Sequence, residues 1–377
     1  MGSHVLPGSG ELKNMTLRVS KYGYAYVDLP DEREIAKRKR PLISHAEYDP
    51  DRLSGEIVCL LTAIIPVHIG SGIYELAEDV GITGFSGVVK GTVKEGGLSI
   101  IPGSSLKGVF RSITEAISYS CVLGYHSCEA KSEDSELCIA CGLFGAMGFM
   151  GRVSFSKATI VNESDYRTRK QSRQPPKSVE MWGPSRPRQG RRFYPHIDYL
   201  SDAFWNSENK GEFDITVIRD RRGNAVGRYS SRQEFIEAKV VEPYDFIPEG
   251  TELLFKVRFE NLEKKEIGLV LSGMGVGSDN QPIFQPRLGG SKPFCFGAIE
   301  VRVKGANVFY QENANTFTTF ERGNQSVPED IQDWVRENIK AFLETSSDGA
   351  EGLLFGQGFE QIKQILHFPT QLPVTVI

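Results

Sequence analysis

The feature that most restricts the fold of this 377-residue chain is a strand–helix–strand order that occurs twice, with a long basic segment between the copies. In the first copy, Glu56 to Val67 is apolar on both faces, as in a central strand covered on both sides, and it ends near Pro66. A helix follows, with Leu106, Val109, Phe110, Ile113 and Ile117 at helical spacing and Ser104 or Ser105 as its N-cap. The stretch Arg152 to Val161 then predicts a strand. In the second copy, Phe255, Val257 and Phe259 alternate with Lys256, Arg258 and Glu260, the pattern of a half-buried strand. Glu263 to Met274 is helical with Ile267, Val270, Leu271 and Met274 on one face, and Ala298 to Val303 alternates again. Two such units predict an α+β protein with a ferredoxin-like (RRM-like) βαββαβ core.

The remaining segments fit around that core. Residues 1–55 read as an N-terminal extension and 56–160 as the first half of the core, with a cysteine-rich insertion at 119–145. Residues 161–245 are basic, proline-rich and weakly periodic, as expected of an inserted arm. Residues 246–308 form the second half. Residues 309–377 form a helical extension, with an amphipathic helix marked by Ile331, Trp334, Val335, Ile339 and Phe342 and a second near Phe359 to Leu366.

Each half carries a glycine-and-lysine loop, Ile101-Pro102-Gly103-Ser104-Ser105-Leu106-Lys107-Gly108 and Leu288-Gly289-Gly290-Ser291-Lys292-Pro293-Phe294-Cys295-Phe296-Gly297. Glycine lets main-chain N–H groups approach an anion, and a helix N-terminus adds partial positive charge. Both loops therefore suit phosphate. Neither has the GxxxxGK[ST] spacing of a P-loop, and no acidic strand end for magnesium accompanies them, which argues against a standalone nucleotide-binding module.

Overall charge is −4, which does not advertise nucleic acid, yet Arg167 to Arg192 holds nine basic residues against one acidic residue, Glu180. Such a segment is either a solvated loop or a surface for a polyanion. No apolar run is long enough to cross a membrane and the first residues lack a secretion signal, so the expected location is cytoplasmic.

Four of six cysteines cluster as Cys121-x6-Cys128-x9-Cys138-x2-Cys141. Four thiolates suit a structural, tetrahedral zinc, with His126 as an alternative ligand. A CxxC redox pair and a set of unconnected thiols are the other readings.

Taken together, several short motifs resemble the RAMP superfamily of CRISPR-associated proteins. They are the His68-Ile69-Gly70 turn, the Ile101 to Gly108 loop, Cys141-Gly142-Leu143-Phe144-Gly145, and Gly289-Gly290-Ser291-Lys292-Pro293 with Phe296-Gly297. Leu53-Ser54-Gly55-Glu56, Gly190-Arg191-Arg192-Phe193-Tyr194-Pro195-His196 and Phe259-Glu260-Asn261-Leu262 extend the likeness over about residues 40 to 305. The resemblance implies a backbone subunit of a type III effector complex, holding a CRISPR guide RNA, pairing it with target RNA, and touching neighbouring RAMP and other effector subunits. It implies that His68, Ser71, Ser104, Ser105, Lys107 and Arg111 hold guide phosphates and sugars, and that Gly289, Gly290 and Lys292 close over the same strand. Sequence specificity would come from base pairing. Arg191 and Arg192 would lie on an arm crossing the RNA, with Met181 and Trp182 as wedge residues. Some relatives cleave target RNA with an aspartate in the loop after the first strand; here that implicates Asp79 first and Glu78 second, with a divalent metal such as magnesium. The competing expectation is a standalone RAMP endoribonuclease that processes precursor RNA, with His45 or His68 enlisted.

Overall fold

The apolar run of the first copy becomes β1, Leu53–Ala63, which lies inside a six-stranded sheet. A computed structural model describes residues 17–19, 24–46, 49, 51–122, 128–179, 191–197, 241–309, 325–326, 328–345, 352–370 and 374–376. After β1 come a hairpin of β2 (Gly70–Leu76) and β3 (Val88–Thr92), helix α1 (Gly103–Ile117) and the short helix α2 (Ile139–Phe144). Two short strands follow, β4 (Val153–Phe155) and β5 (Thr159–Ile160). The second copy supplies β6 (Glu252–Leu262), α3 (Lys264–Gly273) and β7 (Ile299–Phe309), and the tail β8 (Gln325–Ser326), α4 (Ile331–Leu343) and α5 (Gly356–Ile365).

The sheet runs β4-β6-β1-β7-β8, with β5 also on β6, and every pairing in it is antiparallel. Strands of the two halves thus interleave, an order consistent with the ferredoxin-like frame. Register is held by the apolar side: Phe255 faces Cys59 and Val301 faces Leu61 across the ladders. A slip of one residue would turn Phe255, Val257 and Phe259 to solvent, so the buried alternation of β6 selects this pairing.

Helix α1 lays Leu106, Phe110, Ile113 and Ile117 onto this face. The Phe110 ring lies 5.6 Å from Phe155 and 6.2 Å from Phe255, joining first-half and second-half strands through one side chain. Removing a fully buried aromatic of this kind typically costs about 3–5 kcal/mol. Helix α3 opens on a reciprocal capping box between Glu263 and Glu266 and packs against α1 and α4. Glu266 is fully buried and is held by Arg152 at 2.9 Å and Arg52 at 3.1 Å, tying the start of α3 to the residues that lead into the first-half strands β4 and β1.

Three local expectations change. The α1 N-cap is Pro102, without a side-chain cap, and Ser104 and Ser105 lie inside the first turn. Gly103 dictates this start, because a Cβ there would sit 2.1 Å from the Phe155 carbonyl oxygen. The strand foreseen from Arg152 to Val161 is broken into β4 and β5 by Ser156, which turns back to bond Lys256. Within the basic segment, Glu163–Gln171 is a helix N-capped by Asn162, and Phe193, Ile197 and Tyr244 reach the main core.

Candidate nucleic-acid interface and metal centre

The geometry of the first glycine loop follows from where Gly103 starts the helix. Pro102 supplies no side-chain cap, and the Ser105 N–H of the first turn donates to the Pro102 carbonyl at 3.0 Å. Beside this turn lies a cleft of about 660 Å³, whose α1 wall is Ser104, Ser105, Gly108 and Ser112. The opposite wall is Gly289, Gly290 and Lys292, the floor includes Ile69 and Gly70, and Arg191, Arg192 and Tyr194 stand at the side. Both loops, the turn after His68 and two arginines of the basic segment therefore meet in one place.

Main-chain contact sets the second wall. Gly289 has φ +85°, and a Cβ there would lie 2.2 Å from the His68 carbonyl oxygen; the Gly290 N–H donates to that same oxygen at 2.9 Å. Only glycine fits this approach. His68 itself is buried, with Nδ1 2.8 Å from the Asp245 carbonyl and its ring edge-on to Tyr244 at 4.6 Å. Burial pulls its pKa down, so the ring is a neutral support for the turn rather than a cation for phosphate.

The charge of the cleft comes from arginines and one lysine. Arg191 is ion-paired to Glu115 at 2.9 Å and donates to Ser112 Oγ at 2.5 Å. Arg192 lies over the rings of Tyr24 and Tyr26, at 4.9 and 6.0 Å, on a short strand pairing Arg191–Phe193 with Ala25–Val27. Lys292 is half-buried, and burial together with neighbouring Arg287 lowers its pKa to about 8. Arg287 in turn donates to the Pro195 and Lys292 carbonyls and to His196 Nδ1. Ser112 and Arg287 escape a motif-based reading, although Arg287 directly precedes the second loop, and Tyr194 stands in a quoted motif without an assigned role.

Other sequence-chosen residues fall elsewhere. Lys107 is half-buried beside Arg111, and burial followed by that neighbour lowers its pKa; neither lines the cleft. Arg111 is committed to Glu115 Oε1 at 2.7 Å, the Gly145 carbonyl at 2.8 Å and Cys141 Sγ at 3.5 Å. Ser71 starts the exposed hairpin and accepts from Ile73 N–H at 3.4 Å. Glu78 and Asp79 stand exposed on the turn after β2. Ile73, Tyr74, Leu76 and Val88 leave this hairpin with exposed apolar side chains.

The nominal excess of positive charge in the basic segment is largely internal. Arg167 pairs with Glu163, Arg169 with Asp165, Lys170 with Asp245, Arg173 with Glu249 and Arg191 with Glu115, all at 2.6–2.9 Å. Met181, Trp182, Arg186 and Arg188 lie outside the described residues, as does His126.

The four cysteines of the insertion do converge. They are buried, none is in a disulfide, and their sulfur atoms all lie within 4.8 Å of one another. Cys121 Sγ is 3.4 Å from Cys141, 3.5 Å from Cys138 and 3.9 Å from Cys128. Tetrahedral zinc with Zn–S bonds of about 2.3 Å needs sulfur–sulfur edges of about 3.8 Å, so this donor set fits such an ion. A backbone and a side-chain donor support charged thiolates: the Cys138 N–H points to Cys128 Sγ at 3.4 Å, and Arg111 points to Cys141 Sγ at 3.5 Å. An ion held by all four sulfurs would have no open coordination position, the arrangement of a structural rather than a catalytic site.

Among the described residues no helix is long and apolar enough to cross a membrane. No curated protein matches the sequence. The family model of the RAMP superfamily matches residues 60–300, a span that contains both glycine loops, the cysteine set, α1, α3 and the strands β4, β5 and β6. With well over half of its length inside that match, the chain belongs to the RAMP superfamily.

Proposed function

We propose that the chain is a CRISPR RNA-binding backbone subunit of a type III interference complex, holding the guide by its phosphates along the α1 cleft. Membership of the RAMP superfamily supports a CRISPR-related RNA-binding function. The observation that carries the finer reading is the meeting of both glycine loops, the His68–Gly70 turn, Arg191 and Arg192 in one cleft. An extended strand laid there places one phosphate at the N-terminal turn of α1 and a neighbouring one near Lys292, while Ser104, Ser105 and Ser112 offer hydroxyls to ribose. Base edges need no protein partner, because pairing with the target supplies specificity.

The scaffold role is favoured over histidine-based RNA processing. His45 has both ring nitrogens engaged, by Glu260 at 3.0 Å and the Met150 carbonyl at 2.8 Å, and His68 is buried and neutral. Asp79, with Glu78 beside it, is the proposed carboxylate for cutting target RNA with a divalent ion such as magnesium, since both are solvent-exposed after β2.

Binding of single-stranded RNA is measured over a salt series for the wild type and for Arg191→Glu with Arg192→Glu. The variant is expected to bind more weakly with a shallower salt slope. An unchanged slope removes the cleft from consideration. Asp79→Ala in the complex assembled with its partners is expected to lose a cut in target RNA. Discrete cleavage of precursor RNA by the purified subunit alone would instead favour the processing enzyme.

A further inference from the structure

We infer that the four-cysteine centre controls the RNA affinity of the cleft through a chain of charged contacts, Cys141–Arg111–Glu115–Arg191, with Arg111 and Glu115 as positioning residues. This rests on the RNA reading of the cleft. Arg111 and Glu115 are one helical turn apart on α1, and the Arg111 Nε–H donates to Glu115 Oε1 at 2.7 Å. On one side, Arg111 reaches the centre twice, through Cys141 Sγ at 3.5 Å and the carbonyl of Gly145, which caps the helix bearing Cys141, at 2.8 Å. On the other, Glu115 Oε2 holds Arg191 at 2.9 Å, and Arg191 bonds Ser112 on the cleft wall.

Glu115 is fully buried, so its carboxylate depends on these two guanidiniums in place of water. Four thiolates around a divalent cation carry a net charge of about −2, an anion against which Arg111 is fixed. When the metal leaves, nothing holds the four sulfurs together, and Arg111 loses the fixed Cys141 sulfur and the helix end it grips. It then competes for both oxygens of Glu115, and Arg191 loses the contact that aims it into the cleft. Preorganisation of Arg191 therefore falls, and with it RNA affinity. Charge alone predicts the reverse, since removing a net negative centre near the cleft would strengthen attraction for a polyanion. The sign of the effect separates the two.

Affinity for a fluorescently labelled single-stranded RNA is measured on the full chain loaded with zinc, after chelation under reducing conditions, and after zinc is restored. Wild type is expected to weaken about tenfold on chelation and to recover. Glu115→Gln and Arg111→Gln are expected to bind weakly and to show no response to metal, while a cobalt-loaded sample keeps its thiolate-to-metal absorption. Arg111→Lys is expected to restore part of the response. Because linkage is reciprocal, RNA should also tighten cobalt binding to the wild type about tenfold, a readout that needs no variant. Unchanged or tighter RNA binding after chelation, or unaltered cobalt affinity with RNA present, overturns the coupling. If the zinc-loaded wild type fails to bind RNA at all, the RNA reading itself falls.

Discussion

The two glycine-and-lysine loops look alike as sequence but use their residues differently. In the second loop, glycine is demanded by the fold: Gly289 has positive φ and lies against the His68 carbonyl. In the first loop, Gly108 is exposed in the middle of α1, and a Cβ there would meet no atom within 4 Å. A glycine in an exposed helix weakens the helix, so its value lies in what can approach it from outside. The lysines differ in the opposite sense. Lys292 lines the cleft, whereas Lys107 faces Arg111 away from it. One loop is thus a rigid wall built on the preceding turn, and the other is an open helix start.

Gly289→Ala should be the most damaging change, lowering stability by about 3 kcal/mol through backbone strain and overlap with His68. Thermal melting tests it, and a wild-type melting curve would show that the wall is not held as described. The wall also has an acid weakness behind it. Burial, and then Arg287, depress the His196 pKa to about 3 from an ordinary 6.5. Its neutral ring accepts from Arg287 and donates to the Gln285 and Leu366 carbonyls, at 3.0–3.1 Å. Since the unfolded chain takes up this proton first, the stability is present above pH 6.5 and is lost as pH falls towards 3. Between pH 6.5 and about 5 the loss should reach about 2 kcal/mol in urea unfolding, and His196→Gln should flatten it.

Smaller effects separate the loops more sharply. Gly108→Ala should stabilise the protein by up to about 1 kcal/mol while weakening RNA binding several-fold. Better stability with undiminished binding would mean that nothing approaches that face. In the proposed RNA-binding role Lys292 would hold phosphate as a cation, so RNA affinity should fall as pH rises through about 8, and Lys292→Gln should lose that dependence. Lys107→Gln should have the smallest effect, less than that of Lys292→Gln at pH 7; a larger loss would exchange their roles.

Much of this was legible before any coordinates. The period-two alternation of β6 and the apolar stripe of α1 each name one buried face, and those faces are the ones that pack. The CxxC pair with two further cysteines marks a centre because four thiols in a short span have few other uses. The charge of the basic segment was misleading. Arg167 and Arg169 are answered locally by Glu163 and Asp165, but Lys170 and Arg173 are answered by Asp245 and Glu249, which follow about 75 residues later, and Arg191 by Glu115, which precedes it by about as many. Serine as the N-cap of α1 failed for a similar reason, because the start was set by contact between Gly103 and Phe155.

Sequence by itself determined the main strands and helices of the core, the order of the two halves, the thiol cluster and, through the accumulation of motifs, the superfamily. Those properties depend on periodicity and on residues close in the chain. Tertiary structure alone decided which cations face the cleft, that Arg111 turns to Cys141 instead of RNA, and that both loops share one ligand space. Those outcomes depend on distances between residues remote in sequence, and at 3 Å a charge or carbonyl outweighs any local preference.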